Sequence, residues 1–398
     1  MTVDNQSIPV LARVDALDVL RGVAVLGILA LNIHAFASPE MGYQQPASID
    51  GWTMWDQAVM WLTMTLGEAK FLTILSVLFG ASIGLFARRE GLGADVSVQH
   101  RRRMVVLAIM GLVHAYGVWY GDILFHYAVC GYLLWWLRDL QPRTMALLAA
   151  IFLCIPALLF LLVYQSVPHW SAEQLTEIGT LIRLDPNQVQ QEVAAYRGGW
   201  LEQWPQRAGQ AWFAHTEGFW SYILWRTLGL MLIGLLLVRA GWQAAEVIQR
   251  HRGKIIGALL LGLLLSGYGA AEIIWYTPES VSGLLIHPLW NYFGSLLVAA
   301  GYIGGVILWA SRVQHSGLRE RLRAVGRLAL SVYLAQSLIA TTLFYGHGFG
   351  QFGYWSPVAL LALVAVLTIL TLLVAPMWLR HFSQGPMEWL WRRFTYRG

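Results

Sequence analysis

The chain has 398 residues, of which 57% are hydrophobic and 12% charged, and its mean hydropathy is +0.54. Soluble domains carry about twice that charged fraction because their surfaces face water, so the composition excludes an ordinary soluble protein and indicates a lipid-facing surface. The net charge of +5 does not indicate a nucleic-acid partner, because the basic residues stand in short clusters between apolar segments and form no recognition motif.

The apolar residues fall into segments that predict an all-α, polytopic integral membrane protein with about ten transmembrane helices. A helix needs roughly 20 residues to cross the hydrocarbon core. The segment 52–66 is short and begins with polar residues, so we expect an interfacial helix there. We treat 1–398 as a single membrane domain, and counts of nine or eleven helices stay open. The predicted membrane helices cover about 18–37, 68–88, 102–120, 122–138, 143–165, 219–239, 254–276, 284–311, 325–346 and 356–379.

The positions of Lys and Arg predict the orientation of these helices, because cytoplasmic loops carry an excess of both residues. If the N-terminus is inside, all but five of the 27 Lys and Arg residues fall in predicted cytoplasmic loops and termini. The pattern therefore predicts an N-in/C-in protein. The five exceptions lie outside or at outer helix ends: Lys70, Arg183, Arg197, Arg207 and Arg226.

Two polar segments adjoin the predicted membrane helices. Residues 166–218 form the longest hydrophilic stretch, and tryptophans recur in it. Because tryptophan favours headgroup depth, we expect short amphipathic helices on the outer membrane surface. Residues 384–396 begin with Gly385-Pro386 and continue with Trp and Arg. Proline suits a first helical turn and this mixture suits anionic headgroups, so we expect a cytoplasmic interfacial helix in contact with membrane lipids.

The N-terminal segment has a second interpretation. Arg13, the apolar residues after it and Ala35-Phe36-Ala37 are similar to a cleavable signal peptide. Because Asp18 and Arg21 interrupt the apolar stretch, we expect the first helix to be retained.

Ionisable residues inside predicted membrane helices are candidates for function, because they are energetically expensive there. In the first helix, Asp18 and Arg21 are three residues apart and can pair. Asn32 returns to within about 20° of the same face. This polar stripe predicts a binding surface that begins at the cytoplasmic end. The alternative is a structural ion pair, with Arg21 reaching back to the cytoplasm.

His114 and Asp122 form the second candidate site. His114 lies about 15 Å along its helix from the cluster Arg101–Arg103, near the predicted bilayer midplane. A neutral imidazole there can act as a general base, and Asp122 at the outer turn can orient that base or bind a polar acceptor. The alternative is a buried histidine bonded to a neighbouring hydroxyl, with Asp122 capping the next helix.

Further polar residues lie in other predicted helices. Glu68 and Lys70 begin the second helix from outside and, being two residues apart, need separate partners. Tyr333 and Gln336 lie in the ninth helix, where such groups often join helices by hydrogen bonds. The sequence contains no Walker A, GxSxG or HExxH motif and no close spacing of metal ligands, so we expect no metal and no soluble-type nucleotide enzyme.

Several segments resemble the YeiB-like family of bacterial inner-membrane proteins. They are Leu17-Asp18-Val19-Leu20-Arg21-Gly22, the segment from Lys70 to Gly80, the segment from His114 to Leu124, the segment from Gly326 to Ser337 and, most distinctive, the tail from Gln384 to Arg392. The blocks follow the order of the family along the full chain. The resemblance implies a multi-pass protein of the bacterial inner membrane.

The opening motif is also similar to that of acyltransferase-3 proteins, and the family looks distantly related to them and to heparan glucosaminide acetyltransferases. The resemblance implies transfer of an acyl group, with acetyl favoured, from cytoplasmic acyl-CoA to an extracytoplasmic or lipid-linked acceptor. Acyltransferase-3 proteins carry a histidine eleven residues after the arginine, where this chain has Asn32. An amide cannot act as a base, so we expect His114 in that role.

This hypothesis assigns a role to each candidate residue. Arg21, Arg323 and Arg327 are expected to hold CoA phosphates, and His114 to deprotonate a hydroxyl or amine. Asn32 is expected to stabilise the oxyanion. Asp122, a catalytic candidate with His114 and Asn32, is expected to line the outer acceptor site together with Glu68 and Lys70. The remaining binding candidates are Asp18, Tyr333 and Gln336. Two alternatives stay open: a transporter or exporter of a small molecule or lipid, which can use the same residues for proton coupling, and a structural membrane partner. The sequence also leaves an oligomer open.

Overall fold

A computed structural model describes residues 9–39, 51–88, 95–182, 185–242, 244–275, 281–313 and 316–396. In these ranges the chain is helical, without β-strands, and it includes a 3₁₀ turn at Val167–His169 and a π-helical turn at Phe219–Ile223. Residues 183 and 184 of the predicted external segment lie outside the described residues. The α-helices are α1 Pro9–Ala37, α2 Met54–Leu66, α3 Lys70–Ala87, α4 Val96–Gly117, α5 Leu124–Leu137, α6 Pro142–Ser166, α7 Ala172–Ile182, α8 Pro186–Arg197, α9 Trp204–His215, α10 Leu224–Arg239, α11 Ala245–Arg250, α12 Arg252–Trp275, α13 Val281–Arg312, α14 Gly317–Arg327, α15 Ala329–Phe344, α16 Pro357–His381 and α17 Pro386–Tyr396.

Several of these helices have the length and apolar character needed to cross a membrane. Within the described ranges there are seven such segments, and α14 with α15, which meet at a bend of 82°, make an eighth if the pair is one span. The prediction of an all-α membrane protein is therefore confirmed. The seven segments are Asp15–Ala37, Met54–Ala87, Pro142–His169, Trp204–Arg239, Arg252–Trp275, Leu285–Arg312 and Pro357–His381.

Three predicted membrane helices are absent from those seven, for reasons visible in their sequences. The helix α4, in place of 102–120, carries three consecutive arginines at Arg101–Arg103. The helices α5 and α15, in place of 122–138 and 325–346, have only 14 and 16 residues. Each of them falls short of roughly 20 uninterrupted apolar residues. Length and composition alone thus support a smaller count than ten.

Two predicted boundaries differ from the structure. The expected interfacial helix 52–66 forms as α2, which begins with a capping box between Thr53 and Asp56, but it is followed after a short break by α3 in one long apolar segment. Likewise, α9 continues through the π-helical turn into α10. The resulting segment of 36 residues is about 54 Å long. It exceeds the hydrocarbon core, so it joins the predicted external segment to the predicted membrane helix.

Glycines let the central helices approach to backbone contact. A Cβ atom at Gly326 of α14 would meet the carbonyl oxygen of Asp18 on α1, and one at Gly22 would meet the carbonyl of Leu322. The same relation holds between α3 and α10, where a Cβ at Gly80 would meet the carbonyl of Met231. Small residues at such contacts allow close helix packing in lipid. These contacts hold α14 against α1 and α3 against α10.

Candidate functional site

A cavity of about 640 Å³ lies among α1, α3, α4, α5, α14, α15 and α17. Apolar side chains of α3, α4 and α5 form much of its wall. We call the part of the cavity that Arg21, Arg103, Arg327 and Arg392 line its mouth. An apolar pocket with a few placed polar groups is the usual form of a small-molecule site. Here the charges favour an amphiphilic anion. The polar lining residues are Asp18, Arg21, Ser82, Arg103, Tyr127, Arg327, Tyr333, Ser383, Gln384, Glu388 and Arg392.

Arg21 is held at the cavity wall by two side chains. Its Nη1 donates to Oδ1 of Asp18 at 2.6 Å, and its Nη2 donates to Oγ of Ser82 on α3 at 2.6 Å. The pairing within α1 is the one expected from the spacing of three residues. Arg327 reaches the same cavity from α14, where its Nη2 donates to the carbonyl oxygen of Ser383 at 3.0 Å. Arg21 therefore lines the cavity and also forms an ion pair with Asp18.

The C-terminal helix α17 forms one side of the mouth. The carboxylate of Glu388 accepts hydrogen bonds from the backbone N–H groups of Leu330 and Ser331 at 2.9 and 3.1 Å and from the Ser331 hydroxyl. It thereby satisfies free N–H groups in the first turn of α15. The indole of Trp391 donates to the carbonyl of Arg103 at 2.9 Å, and the Arg103 guanidinium lies 4.8 Å from the Trp391 ring. These contacts tie α17 to α4 and α15.

Tyr333 lies at the inner end of the cavity. Its hydroxyl donates to the carbonyl oxygen of Gly121 at 3.3 Å, and its ring centroid is 5.2 Å from that of His114. His114 itself does not line the cavity. Tyr333 is therefore the side chain that touches both the cavity and the candidate base.

His114 and Asp122 form a buried pair. Nδ1 of His114 lies 2.9 Å from Oδ1 of Asp122, and both side chains are at most 2% exposed. Because the carboxylate oxygen accepts, the Nδ1 atom is the donor. Nε2 of His114 has no hydrogen-bond partner among the described residues. A histidine oriented by a carboxylate through one nitrogen, with the other left as an acceptor, is the arrangement of a positioned general base.

The start of α5 positions the Asp122 carboxylate. Its second oxygen, Oδ2, accepts a hydrogen bond from the backbone N–H of Phe125 at 2.8 Å, as an N-terminal capping residue does. A Cβ atom at Gly111 of α4 would lie 2.8 Å from that same oxygen. The missing side chain thus lets α4 bring His114 against the capped end of α5. Both predicted roles of Asp122, capping and orienting, occur together.

Other predicted site residues lie elsewhere. Asn32 does not line the cavity, and no described contact joins it to His114. Gln336 donates from Nε2 to the carbonyl oxygen of Val25 at 3.4 Å, which is a helix-to-helix bond. Arg323 donates to Asp15 at 3.0 Å and is absent from the cavity wall. Sequence spacing placed these residues on suitable faces but not at one site.

Glu68 and Lys70 belong to a second polar cluster between α3, α10 and α13. Lys70 is fully buried, and its Nζ donates to the carbonyl of Met64 at 2.8 Å and to Oδ1 of Asn291 at 2.5 Å. Arg226 donates to hydroxyls of Thr73 and Ser295 at 3.2 and 2.7 Å. Glu68 is half-buried and lies within the electrostatic reach of Lys70 and Arg226. This cluster does not line the cavity with Arg21.

Several lining residues are not among the site residues predicted from the sequence. Ser82 belongs to the segment Gly80-Ala81-Ser82-Ile83-Gly84, whose small residues indicate helix packing. Arg103 belongs to the cluster Arg101–Arg103, which we interpreted only as a sign of a cytoplasmic loop. Glu388 and Arg392 belong to the tail from Gln384 to Arg392, which we expected only to contact lipid. The distinctive composition of that tail was the available signal for a role beyond anchoring.

Comparisons with known proteins place this helical, cavity-containing membrane protein in a family. Residues 237–398 match the family described as "Protein of unknown function (DUF418)". The chain is 31% identical over 393 residues to the uncharacterized protein YeiB of Escherichia coli (strain K12), covering 96% of each chain. It is 26% identical over 396 residues to the uncharacterized protein YxaH of Bacillus subtilis (strain 168), covering 96% of this chain and 94% of the relative. The chain belongs to the YeiB-like family, so that prediction is confirmed.

Proposed function

We propose that the protein is a membrane-embedded acyltransferase that moves an acyl group, acetyl in the simplest case, from cytoplasmic acyl-CoA to an extracytoplasmic or lipid-linked acceptor. One observation carries the proposal. Tyr333 lines a cavity that also carries several arginines, and its ring lies against the ring of His114. His114 is buried, and its Nε2 has no partner among the described residues. Similarity of the opening motif to acyltransferase-3 proteins supports the same reaction class.

The donor enters at the mouth. Phosphate groups of CoA bind Arg21, Arg103 and Arg327 through charge-assisted hydrogen bonds. The pantetheine arm and acyl group extend along the apolar walls towards Tyr333. The thioester then lies beside the Tyr333 ring, which turns aside to admit it to His114. Asn32, remote from the cavity, has no part in this step.

The transfer couples attack on the thioester to the movement of one proton. The acceptor oxygen or nitrogen attacks the thioester carbonyl carbon while its proton passes to Nε2 of His114. The tetrahedral intermediate collapses with cleavage of the C–S bond and formation of the acceptor ester or amide. His114 returns the proton to the CoA thiolate. Asp122 accepts from Nδ1 of His114, which selects the required tautomer before the proton transfer and stabilises the imidazolium after it.

We infer that the chain crosses the membrane ten times. In this count α4, α5 and the bent α14–α15 pair each add one crossing to the seven long apolar segments. An even count leaves both termini on one side, and the distribution of Lys and Arg favours the cytoplasm. In this orientation the cavity mouth faces cytoplasmic acyl-CoA. We assign the protein to the bacterial inner membrane, in keeping with its bacterial relatives.

The test is release of CoA from labelled acetyl-CoA by the purified full chain in lipid nanodiscs, with membrane extract as the acceptor source. We expect His114→Ala to abolish release. His100→Gln is the control, because His100 is buried in the same helix, its Nε2 bonds the carbonyl of Gly131, and it does not line the cavity. Equal release by wild type and His114→Ala contradicts the proposal, and so does absence of CoA binding.

A transporter is the second candidate. The buried cluster of Lys70, Arg226 and Glu68 favours it, since intramembrane charges serve proton coupling. Proton-driven flux of a solute into vesicles, unaffected by His114→Ala and lost in Lys70→Met, distinguishes it from acyl transfer.

A further inference from the structure

Arg207, in the first turn of α9, has an unusual environment for a charged side chain. It is fully buried, with 0% exposure. Ion pairs among the described residues do not include it. Glu192, a carboxylate of the same external segment, accepts a hydrogen bond from Gln210 instead. A buried charge without a counter-ion is strongly unfavourable unless something else compensates it.

Hydrogen bonds within the protein satisfy two of the three nitrogen atoms of the Arg207 guanidinium. Nε donates to the carbonyl oxygen of Tyr116 at 3.0 Å, at the end of α4, and Nη1 reaches Oε1 of Gln203 at 3.4 Å. Nη2 has no partner in the described part of the chain. The rings of Trp200 and Trp204 lie 5.0 and 5.8 Å from the guanidinium. These groups contribute partial charge but no anion.

The neighbouring phenols do not compensate Arg207 either. Tyr345 and Tyr196 are its electrostatic neighbours. Burial raises the pKa of the Tyr196 hydroxyl, so that hydroxyl stays neutral at physiological pH. No ion pair in the described part of the chain therefore neutralises the Arg207 guanidinium, which is available to bind an anionic ligand.

Trp119 links this region to His114. Its ring centroid is 6.4 Å from that of His114, and it packs in one buried cluster with Tyr196 and Tyr345. Its indole Nε1, which can only donate, has no partner among the described residues. Two buried groups that can only donate, Trp119 Nε1 and Arg207 Nη2, call for an acceptor-rich ligand. An oxyanion is such a ligand.

We propose that Arg207 anchors an oxyanion subsite under the external segment, and that the acceptor carries a phosphate or carboxylate group. The assignment of this ligand as the acceptor rests on the proposed acyl transfer. The subsite lies beyond His114 along α4, since Tyr116 follows His114 by two residues. Donor and acceptor then approach the base from opposite ends of the molecule.

The test measures anion binding and needs no acyl-CoA. Purified full-length protein in phosphatidylcholine nanodiscs is titrated with sodium phosphate and with sodium acetate, and Tm is recorded. We expect a saturable rise in Tm with at least one anion, and at least a tenfold loss of apparent affinity in Arg207→Gln. Arg197→Gln is the matched control, because Arg197 of α8 also donates to a backbone carbonyl and lies over an aromatic ring, but is not fully buried. It should retain the wild-type affinity.

Further arms identify the source of the anion and guard against misfolding. If only nanodiscs with phosphatidylglycerol raise the Tm of wild type but not of Arg207→Gln, the oxyanion is a lipid headgroup, and the subsite stands. Arg207→Lys keeps the charge and is expected to bind more weakly than wild type but to elute as a monodisperse peak. An unchanged titration in Arg207→Gln, or loss in Arg327→Gln instead, overturns the proposal. A wild-type Tm that no anion or anionic lipid raises also overturns it, whatever the outcome of the CoA-release assay.

Discussion

At the scale of single residues, Asp122 does two things at once. One oxygen holds Nδ1 of His114, and the other caps α5 through the N–H of Phe125. The capping bond fixes the carboxylate, and the fixed carboxylate selects the histidine tautomer. His114 can therefore present Nε2 as an acceptor without any rearrangement.

Asp122→Asn separates these two roles. Asparagine caps a helix about as well as aspartate, so α5 should remain, but the amide neither selects the tautomer nor stabilises the imidazolium. We expect CoA release to fall by about 10²–10⁴-fold, with Tm nearly unchanged. Asp95→Asn is the control, since Asp95 caps α4 and touches no histidine. Equal activity of the two variants would contradict the role of Asp122.

Arg327 and Arg323 lie one turn apart on α14 but face different surroundings. Arg327 lines the cavity, whereas Arg323 pairs with Asp15. We expect Arg327→Gln to weaken acetyl-CoA binding about tenfold, the effect of one charge-assisted bond, and Arg323→Gln to change it little. Equilibrium binding of labelled acetyl-CoA measures both. A larger loss in Arg323→Gln would move the donor site away from this cavity.

Pairs close in sequence were predictable at this scale, and distant ones were not. The spacing of Asp18 and Arg21 on one helix predicted their ion pair, whereas Asp122 was predicted only as a group that could orient a base or bind an acceptor. Asn32 was placed on the face of Arg21 by helical geometry, but α1 extends beyond the cavity. From the sequence, Arg207 was predicted only to be a charged residue on the outer side, because nothing in its sequence neighbourhood indicates complete burial.

At the scale of helices, the contact between α1 and α14 forms the wall of the site. Gly326→Val inserts a side chain where the Asp18 carbonyl already lies. We expect a loss of about 1–3 kcal/mol in stability together with weaker acetyl-CoA binding. Gly317→Val, in the same helix but with open space at its Cβ position, is the control. Tm and binding measured on both variants test the contact.

The C-terminal helix α17 is held to the cavity mouth mainly by Glu388 and Trp391. Removing the carboxylate in Glu388→Ala leaves two N–H groups of α15 uncapped and frees α17 to leave the mouth. We expect a lower acetyl-CoA affinity and faster proteolysis of the tail. Trp389→Ala is the control, since that side chain is exposed and does not line the cavity. Unchanged affinity in Glu388→Ala would reduce α17 to a membrane anchor.

Helix boundaries followed from apolar length where segments were long, as in α6, α12 and α16. They did not follow where function interrupts the pattern. Arg103 of α4 and the start of α15, just after its 82° bend with α14, line the cavity, where charge and irregular backbone are tolerated because protein surrounds them. The break before α3, where Ala69 takes a left-handed conformation with φ 63°, immediately precedes buried Lys70. These interruptions depend on tertiary contacts that apolar length does not encode.

At the scale of the whole molecule, the proposed topology places the two described ends of the reaction path on opposite membrane surfaces. We expect Gly317→Cys to react with a membrane-impermeant maleimide only from the cytoplasmic side, and Gly199→Cys only from outside. The background carries Cys130→Ala and Cys154→Ala, which removes both native cysteines. Labelling of both positions from one side would contradict the topology.

The proposed acyl transfer uses the arginine-lined cavity, the buried pair of His114 and Asp122 and the proposed oxyanion subsite as one path through the molecule. It requires that acyl-CoA occupies the cavity between α1 and α14. The most direct measurement is a cryo-electron microscopy structure of the protein incubated with a non-hydrolysable acetyl-CoA analogue. We predict density with phosphates against Arg21 and Arg327 and the acyl end at Tyr333. An empty cavity under saturating analogue, or analogue bound outside it, would contradict the account.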